Sequence, residues 1–163
     1  MTNSQDAAAI TSTSNHTQQG EAQPALVLVN LGTPTAPEPG PVRAFLREFL
    51  SDRRVIEISP LLWKPILEGI ILRVRPREVS QKYRSIWMDQ GSPLMHFTRE
   101  QARLLGERLP GVRVEVAMRY GQPSIGSVLD RLHVQGVRRV AILPAYPQYA
   151  ASTVATINDA VAQ

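Results

Sequence analysis

The sequence predicts an α/β fold: a doubly wound parallel sheet of four strands with helices on both faces. Three observations predict it. Short apolar runs at residues 26–29, 55–58, 112–118 and 140–143 have the length and β-branched content of buried strands. Between them lie stretches with apolar residues at helical spacing, such as Val42, Phe45, Leu46 and Phe49. Strand and helix alternate, and a parallel neighbour is reached only through a crossover connection.

Taken in order, residues 1–24 are rich in Ser, Thr, Gln, Asn and Ala, with no Lys or Arg and no apolar run of signal-peptide length. This reads as a disordered leader ahead of a single domain over 25–163. After the first strand, a proline-rich loop leads into a helix over 42–51, then the short strand 55–58. Pro65 can open a helix over 65–74, and two more helices follow over 78–86 and 98–109. The strand 112–118, a helix over 125–135, the strand 140–143 and a helix from Ser152 complete the pattern, with the Ser152 hydroxyl available as its cap. That last helix ends without a Gly or Asn cap or a basic final turn, so the chain is expected to be the amino-terminal part of a longer protein, cut within the helix leading to a second domain.

Composition narrows the function. With 163 residues, 43% of them hydrophobic, one sizeable core is possible. The net charge of +4 comes from Arg and Lys dispersed along the chain, which gives no indication of nucleic acid binding and suits an anionic small molecule or membrane surface. Cysteine is absent, which excludes disulfides, thiol nucleophiles and thiolate-held clusters within this chain. No segment has the apolar length of a membrane span.

Ligands of doubly wound sheets gather at the carboxyl ends of the strands. NLGTP after the first strand, MRYGQP after the third and PAYPQYAAST after the fourth should therefore share one rim. A nucleotide phosphate there is disfavoured, because Pro34, Pro37, Pro39 and Pro41 lack N–H donors and neither G-x-G-x-x-G nor G-x-x-x-x-G-K-[ST] occurs. His16, His96 and His133 have no convincing second ligand at metal-binding spacing and read as solvated or capping residues, so no metal site is assigned.

Taken together, LVNLGTP, the stretch from KYRSIW to GSPL, AMRYGQP and LPAYPQYAAST resemble the amino-terminal half of the ferrochelatase family, in that family's order and spacing, from Pro24 onward. The resemblance implies insertion of ferrous iron into protoporphyrin IX to form protohaem. It also implies two similar chelatase-like domains with the porphyrin between them, and a catalytic His and acidic residue in the carboxy-terminal domain, so that this chain by itself holds no catalytic residue. Iron is then substrate, no resident cofactor is implied, and the family's animal-type iron–sulfur cluster is not expected, since Ala151 stands where a ligating cysteine would be.

The resemblance also implies site residues. Arg119 and Tyr120 match a pair lying in the family's pocket; read from the residues alone, they serve equally as a cap on the sheet rim. Arg84 matches an Arg near the propionate end, or is a solvated helix arginine. Asn30 and Leu31 end the first strand, and Leu31, where the coproporphyrin branch has Tyr, favours the protoporphyrin branch. Tyr146 and Tyr149 come from the fourth-strand loop. In SPLLWKPILEGIILRVRPR, Ile66, Leu67, Ile70, Ile71 and Val74 share a helical face flanked by Lys64, Arg73, Arg75 and Arg77. Periodicity reads this as a core-packing helix; the resemblance makes Leu62, Trp63, Ile66 and Ile70 a hydrophobic lip able to touch a membrane. The expected location is the cytoplasm, peripheral to the inner face of its membrane. The competing reading is a non-catalytic α/β module that binds a porphyrin or another anionic planar ligand.

Overall fold

The computed structural model describes residues 23–163; the expected leader therefore lies almost wholly outside the described residues. The chain runs β1 (Ala25–Gly32), α1 (Pro39–Ser51), α2 (Pro60–Ile66), a π-helical turn (Leu67–Ile71), α3 (Leu72–Ile86), α4 (Pro93–Arg108), β2 (Arg113–Tyr120), α5 (Ile125–Val134), β3 (Val140–Pro144), a second π-helical turn (Ala151–Ala155) and α6 (Thr156–Val161).

The sheet is parallel, in the order β2-β1-β3, with Val27 opposite Glu115 on one side and Ile142 on the other. Side chains alternate along β1, and each face has its own cover. Ala25, Val27 and Val29 join Ala117, Ile125, Val128, Leu132 and Ile157 in one core under α5 and α6. The opposite face carries α4, where Gly106 lies against Val114 and Thr98 meets Asn30. Helices thus cover both faces, as the alternation of strands and helices predicts.

The sheet has three strands where the sequence predicts four. Residues 55–58 form no strand because the backbone N–H groups of Val55 and Ile56 both donate to the Asp52 carbonyl, at 3.0 and 2.9 Å. Amides consumed in a local turn are unavailable to a ladder, and Pro60 starts a helix two residues later. The helices expected over 65–74 and 78–86 are one rod that opens at Pro60, with Pro65 and Pro76 inside it. The Leu72 amide reaches back to the Leu67 carbonyl, a wider turn than an α-helix. Leu72 itself adopts ψ −7°, where an ideal helix would drive its carbonyl into the Pro76 ring. The widened turn absorbs the prolines without ending the rod.

It also divides the expected apolar face. Leu67 and Leu72 are buried against the body of the protein, whereas Ile66, Ile70 and Val74, each four residues apart, point to solvent. Two further boundaries move. α4 begins at Pro93, five residues earlier than predicted, and the last helical segment is capped by Thr153, whose Oγ1 accepts from the Ala150 amide at 3.0 Å, not by Ser152.

The backbones of β1 and β2 converge at their carboxyl ends. Gly32 has φ +113°, and a Cβ there would lie 1.8 Å from the Tyr120 carbonyl oxygen. Gly32→Ala is expected to lower the unfolding free energy by about 3 kcal/mol or more, from combined strain and backbone collision. Gly40→Ala, whose new Cβ meets nothing within 4 Å, should leave the urea midpoint close to that of the parent chain. Equal effects of the two substitutions in denaturant titrations would contradict this account of the rim.

Candidate functional site

The three loops named from the sequence meet at the carboxyl edge of the sheet. The Ala145 amide donates to the Val29 carbonyl at 2.8 Å, and Gly121, with φ +84°, lies against the carbonyl of Thr33. The register pairs Asn30 with Met118 and Gly32 with Tyr120, so Leu31 and Arg119 occupy neighbouring positions between them. On the other side Val29 pairs with Pro144, and Tyr146, two residues on, packs on the α5–α6 face. Arg119, Leu31 and Tyr146 therefore follow one another across the end of the sheet.

The centre of the rim is a residue that the sequence reading did not select. Asp52, the residue after α1, accepts from Arg119 Nη2 at 2.7 Å and from the Tyr120 hydroxyl at 2.8 Å on one oxygen, and from the Arg54 amide at 2.8 Å on the other. Arg119 Nε donates to Thr156 Oγ1, and its guanidinium carbon stands 4.6 Å over the Tyr120 ring. Tyr120 is fully buried, with Phe49 of α1 edge-on to its ring at 5.1 Å. Arg54 pairs through two nitrogens with Asp159 of α6, and the Gly121 amide donates to Glu48 at 2.8 Å. The ends of α1 and β2 and the start of α6 are thereby tied together.

The electrostatics follow from this packing. Burial alone would raise the Asp52 carboxyl, but the Arg54 amide, the Tyr120 hydroxyl, the Arg119 charge and Thr156 outweigh it and hold Asp52 below the usual carboxylate range. Tyr120 is pushed up to about 12, chiefly by burial; Thr156 and Arg119 oppose the shift, and Asp52 reinforces it. Burial also raises Tyr146, against the nearby charge of Arg119. At neutral pH the Asp52 carboxyl is therefore ionised and the Tyr120 phenol protonated.

The remaining sequence-predicted residues are distributed around this centre. Asn30 points to the α4 face, where Nδ2 donates to Thr98 Oγ1 at 2.9 Å. Tyr149 is 71% exposed. Arg84 lies apart from the knot, donating from Nε to the Pro37 carbonyl at 3.2 Å and so fastening the proline-rich loop to α3. Of the lip residues, Leu61 and Leu62 are 87% and 68% exposed, followed along the rod by Ile66 and Ile70. Trp63 is not free in the same way: its indole N–H donates to the Leu50 carbonyl at 2.7 Å. Beside it, Ile56, Ile58, Trp63, Lys64 and Leu67 line a cavity of about 240 Å³. Among the described residues, no cluster of three or more His, Cys, Asp or Glu side chains could hold a metal ion.

One signal in the sequence could have found Asp52. A carboxylate just past the end of a helix sits at the negative end of the macrodipole, so it needs a tertiary partner. Thr156 and Asp159 carry no comparable local mark.

A parallel sheet covered by helices on both faces, with its loops gathered at the carboxyl edge, defines an α/β domain of the doubly wound class. The sequence model of the family described as Ferrochelatase matches residues 23–163. The chain belongs to the ferrochelatase family. It is 50% identical over 138 residues to the ferrochelatase of Yersinia enterocolitica serotype O:8 / biotype 1B, covering 85% of this chain and 43% of the relative. The same values hold for the ferrochelatase of Klebsiella pneumoniae strain 342, and the ferrochelatase of Yersinia pestis strain Pestoides F is 47% identical over 143 residues, covering 88% and 45%. The chain spans less than half the length of the curated relatives it matches.

Because the folded-state pKa of Asp52 is depressed, the stability it contributes is fully present above its unfolded value of about 3.9 and is lost as pH falls through the folded value. Asp52→Asn is expected to destabilise the chain at neutral pH by about 3 kcal/mol, since Arg119 keeps its charge without a counter-ion. The variant's melting temperature should then fall less steeply than the parent's on acidification below pH ~4. Parallel acid limbs in the two melting profiles would show that Asp52 is not held ionised by these partners.

Proposed function

We propose that this chain is the porphyrin-binding first half of a ferrochelatase, the whole protein inserting ferrous iron into protoporphyrin IX to give protohaem. The observation that carries the reading is family membership across residues 23–163, with the rim loops at the carboxyl edge of the sheet as the structural support. Iron and porphyrin are both substrates in this reading, and no resident cofactor is required.

A chelatase must hold a flat apolar macrocycle at its edges and bend it so that the ring nitrogens point toward the metal. The distortion is drawn from binding energy realised away from the reacting centre. Leu31 and Tyr146 supply an apolar and aromatic wall at the end of the sheet, and Tyr149 of the same loop as Tyr146 adds an exposed ring. Arg119 and Tyr120 form the stiff base of that wall, since both are already bonded to Asp52. Arg84 is the cation of this set whose guanidinium bonds a neutral carbonyl, and on this reading it attracts a propionate. The proton-accepting groups are assigned to the part of the relatives that this chain does not span, as is the domain that would close the other side of the cleft.

The lip belongs to the same proposal. No helix among the described residues is long and apolar enough to cross a membrane. Leu61, Leu62, Ile66, Ile70 and Val74 nevertheless form an exposed apolar row with Lys64, Arg73, Arg75 and Arg77 alongside. Such a row suits peripheral contact with an anionic bilayer, from which a poorly soluble porphyrin could enter the cleft. On this reading the whole protein works at the inner face of the cytoplasmic membrane.

Absorbance-monitored titration of protoporphyrin IX into the purified chain is expected to saturate. Added ferrous or zinc ion under anaerobic conditions should then be inserted no faster than in protein-free solution. Absence of saturable binding would overturn the assignment of the porphyrin wall to this half, and accelerated insertion would mean that the chain holds its own proton acceptor.

Replacing both Leu62 and Ile70 by Ser is expected to weaken co-sedimentation with phosphatidylglycerol vesicles about tenfold, from the loss of buried apolar area. The protoporphyrin titration should change less. Unchanged sedimentation of the double variant would remove the lip from the membrane account.

A further inference from the structure

The two guanidinium groups of the knot are each paired with a carboxylate before any ligand arrives. Arg119, 17% exposed at its side chain, is matched by Asp52, 11% exposed, and Arg54 is matched by Asp159 across the same junction. A guanidinium left free beside Leu31 and Tyr146 would attract any carboxylate carried by a planar ligand. Here it is turned onto a fixed internal carboxylate instead, with the Tyr120 hydroxyl and Thr156 completing its surroundings. Ligand carboxylates must therefore be met elsewhere.

We infer that Asp52 is a specificity-determining residue: by neutralising Arg119 it keeps this stretch of the rim neutral, favouring a porphyrin with two carboxylates over one with additional carboxylates at its edge. The inference rests on the porphyrin reading given above. Asp52 acts through Arg119 and touches no substrate atom itself. Its contribution is to remove a positive charge from the wall at the point where the macrocycle edge would lie, and to hold Arg119 and Tyr120 in one orientation while doing so. Removing the carboxylate charge leaves a partly buried cation seeking a partner, and an extra carboxylate on the ligand can supply one.

The test compares two ligands on the same chain, protoporphyrin IX with two carboxylates and coproporphyrin III with four, by absorbance or tyrosine-quenching titration. The wild-type chain should bind the dicarboxylate more tightly. Asp52→Asn should shift the ratio of the two dissociation constants toward the tetracarboxylate by about fivefold, an effect that shrinks with added salt. Asp52→Glu, which keeps the charge, should restore the wild-type ratio, and so should Asp52→Asn combined with Arg119→Gln. Arg119→Gln alone leaves Asp52 uncompensated and should shift the ratio the other way. Circular dichroism melts identify any variant that fails to fold; if Asp52→Asn does, the sign of the Arg119→Gln shift decides.

A purely structural Asp52 would change both affinities by the same factor, and an unmoved ratio overturns the inference while the porphyrin reading stands. If the wild-type chain binds neither porphyrin, the reading beneath the inference fails, and the inference fails with it.

Discussion

The arrangement of the rim depends on one carboxylate. Asp52 takes donors from Arg119, Tyr120 and its own turn at Arg54, which join the end of α1 to the end of β2, and Arg119 and Arg54 carry the tie on to Thr156 and Asp159 of α6. Withdrawing such a pair from water is costly, and the cost is offset only where the geometry is good and the remaining oxygens are bonded. Both conditions hold here, since each Asp52 oxygen has at least one donor at 2.8 Å or closer. The same residue shapes the backbone. Its carbonyl captures the amides of Val55 and Ile56 and turns the chain toward the exposed helical rod.

Backbone contact completes what the carboxylate begins. At Gly32 the strands β1 and β2 approach more closely than any side chain would allow, and at Gly121 the next loop folds over Thr33. Side-chain hydrogen bonds continue the tie beneath, with the Thr33 hydroxyl donating to Ser92 and the Asn30 amide to Thr98 of α4. Among the described residues, no buried side-chain nitrogen or oxygen lacks a partner. The rim is therefore stiff, which is what a surface must be if binding energy is to bend a ligand and leave the protein unchanged. Elsewhere the sheet is less enclosed: Val140 and Leu143 on β3 remain more than a third exposed, and a groove of about 740 Å³ runs between β3 and α4 past Leu28, Leu104 and Tyr146.

The parts of this fold legible in the sequence were those governed by local periodicity. Val27 and Val29 mark a buried strand because every second residue faces one core, and Val42 and Phe45 mark a helix because their spacing fits one face. The segment 55–58 misled for the same reason: its apolar residues have strand character, while the event that denies it a strand is a bond to a carbonyl a few residues away. Likewise Ile66 and Leu67 both fall within the broad apolar face that periodicity assigns to this helix, and only tertiary packing buries Leu67 while leaving Ile66 exposed.

For the site, the sequence by itself determined the rim. Strand order and parallel direction require NLGTP, MRYGQP and PAYPQYAAST to share one edge, and the motifs in those loops carry the family resemblance. Only the tertiary structure decided what Arg119 and Tyr120 do there, because their partner Asp52 is 67 and 68 residues distant in sequence and belongs to no motif of the rim loops. A side chain's charge is written in the sequence. Whether that charge faces a ligand or is neutralised within the protein depends on which carboxylate folding brings to it; the position of Asp52 just past a helix end signals that it needs a partner, but nothing local says which one.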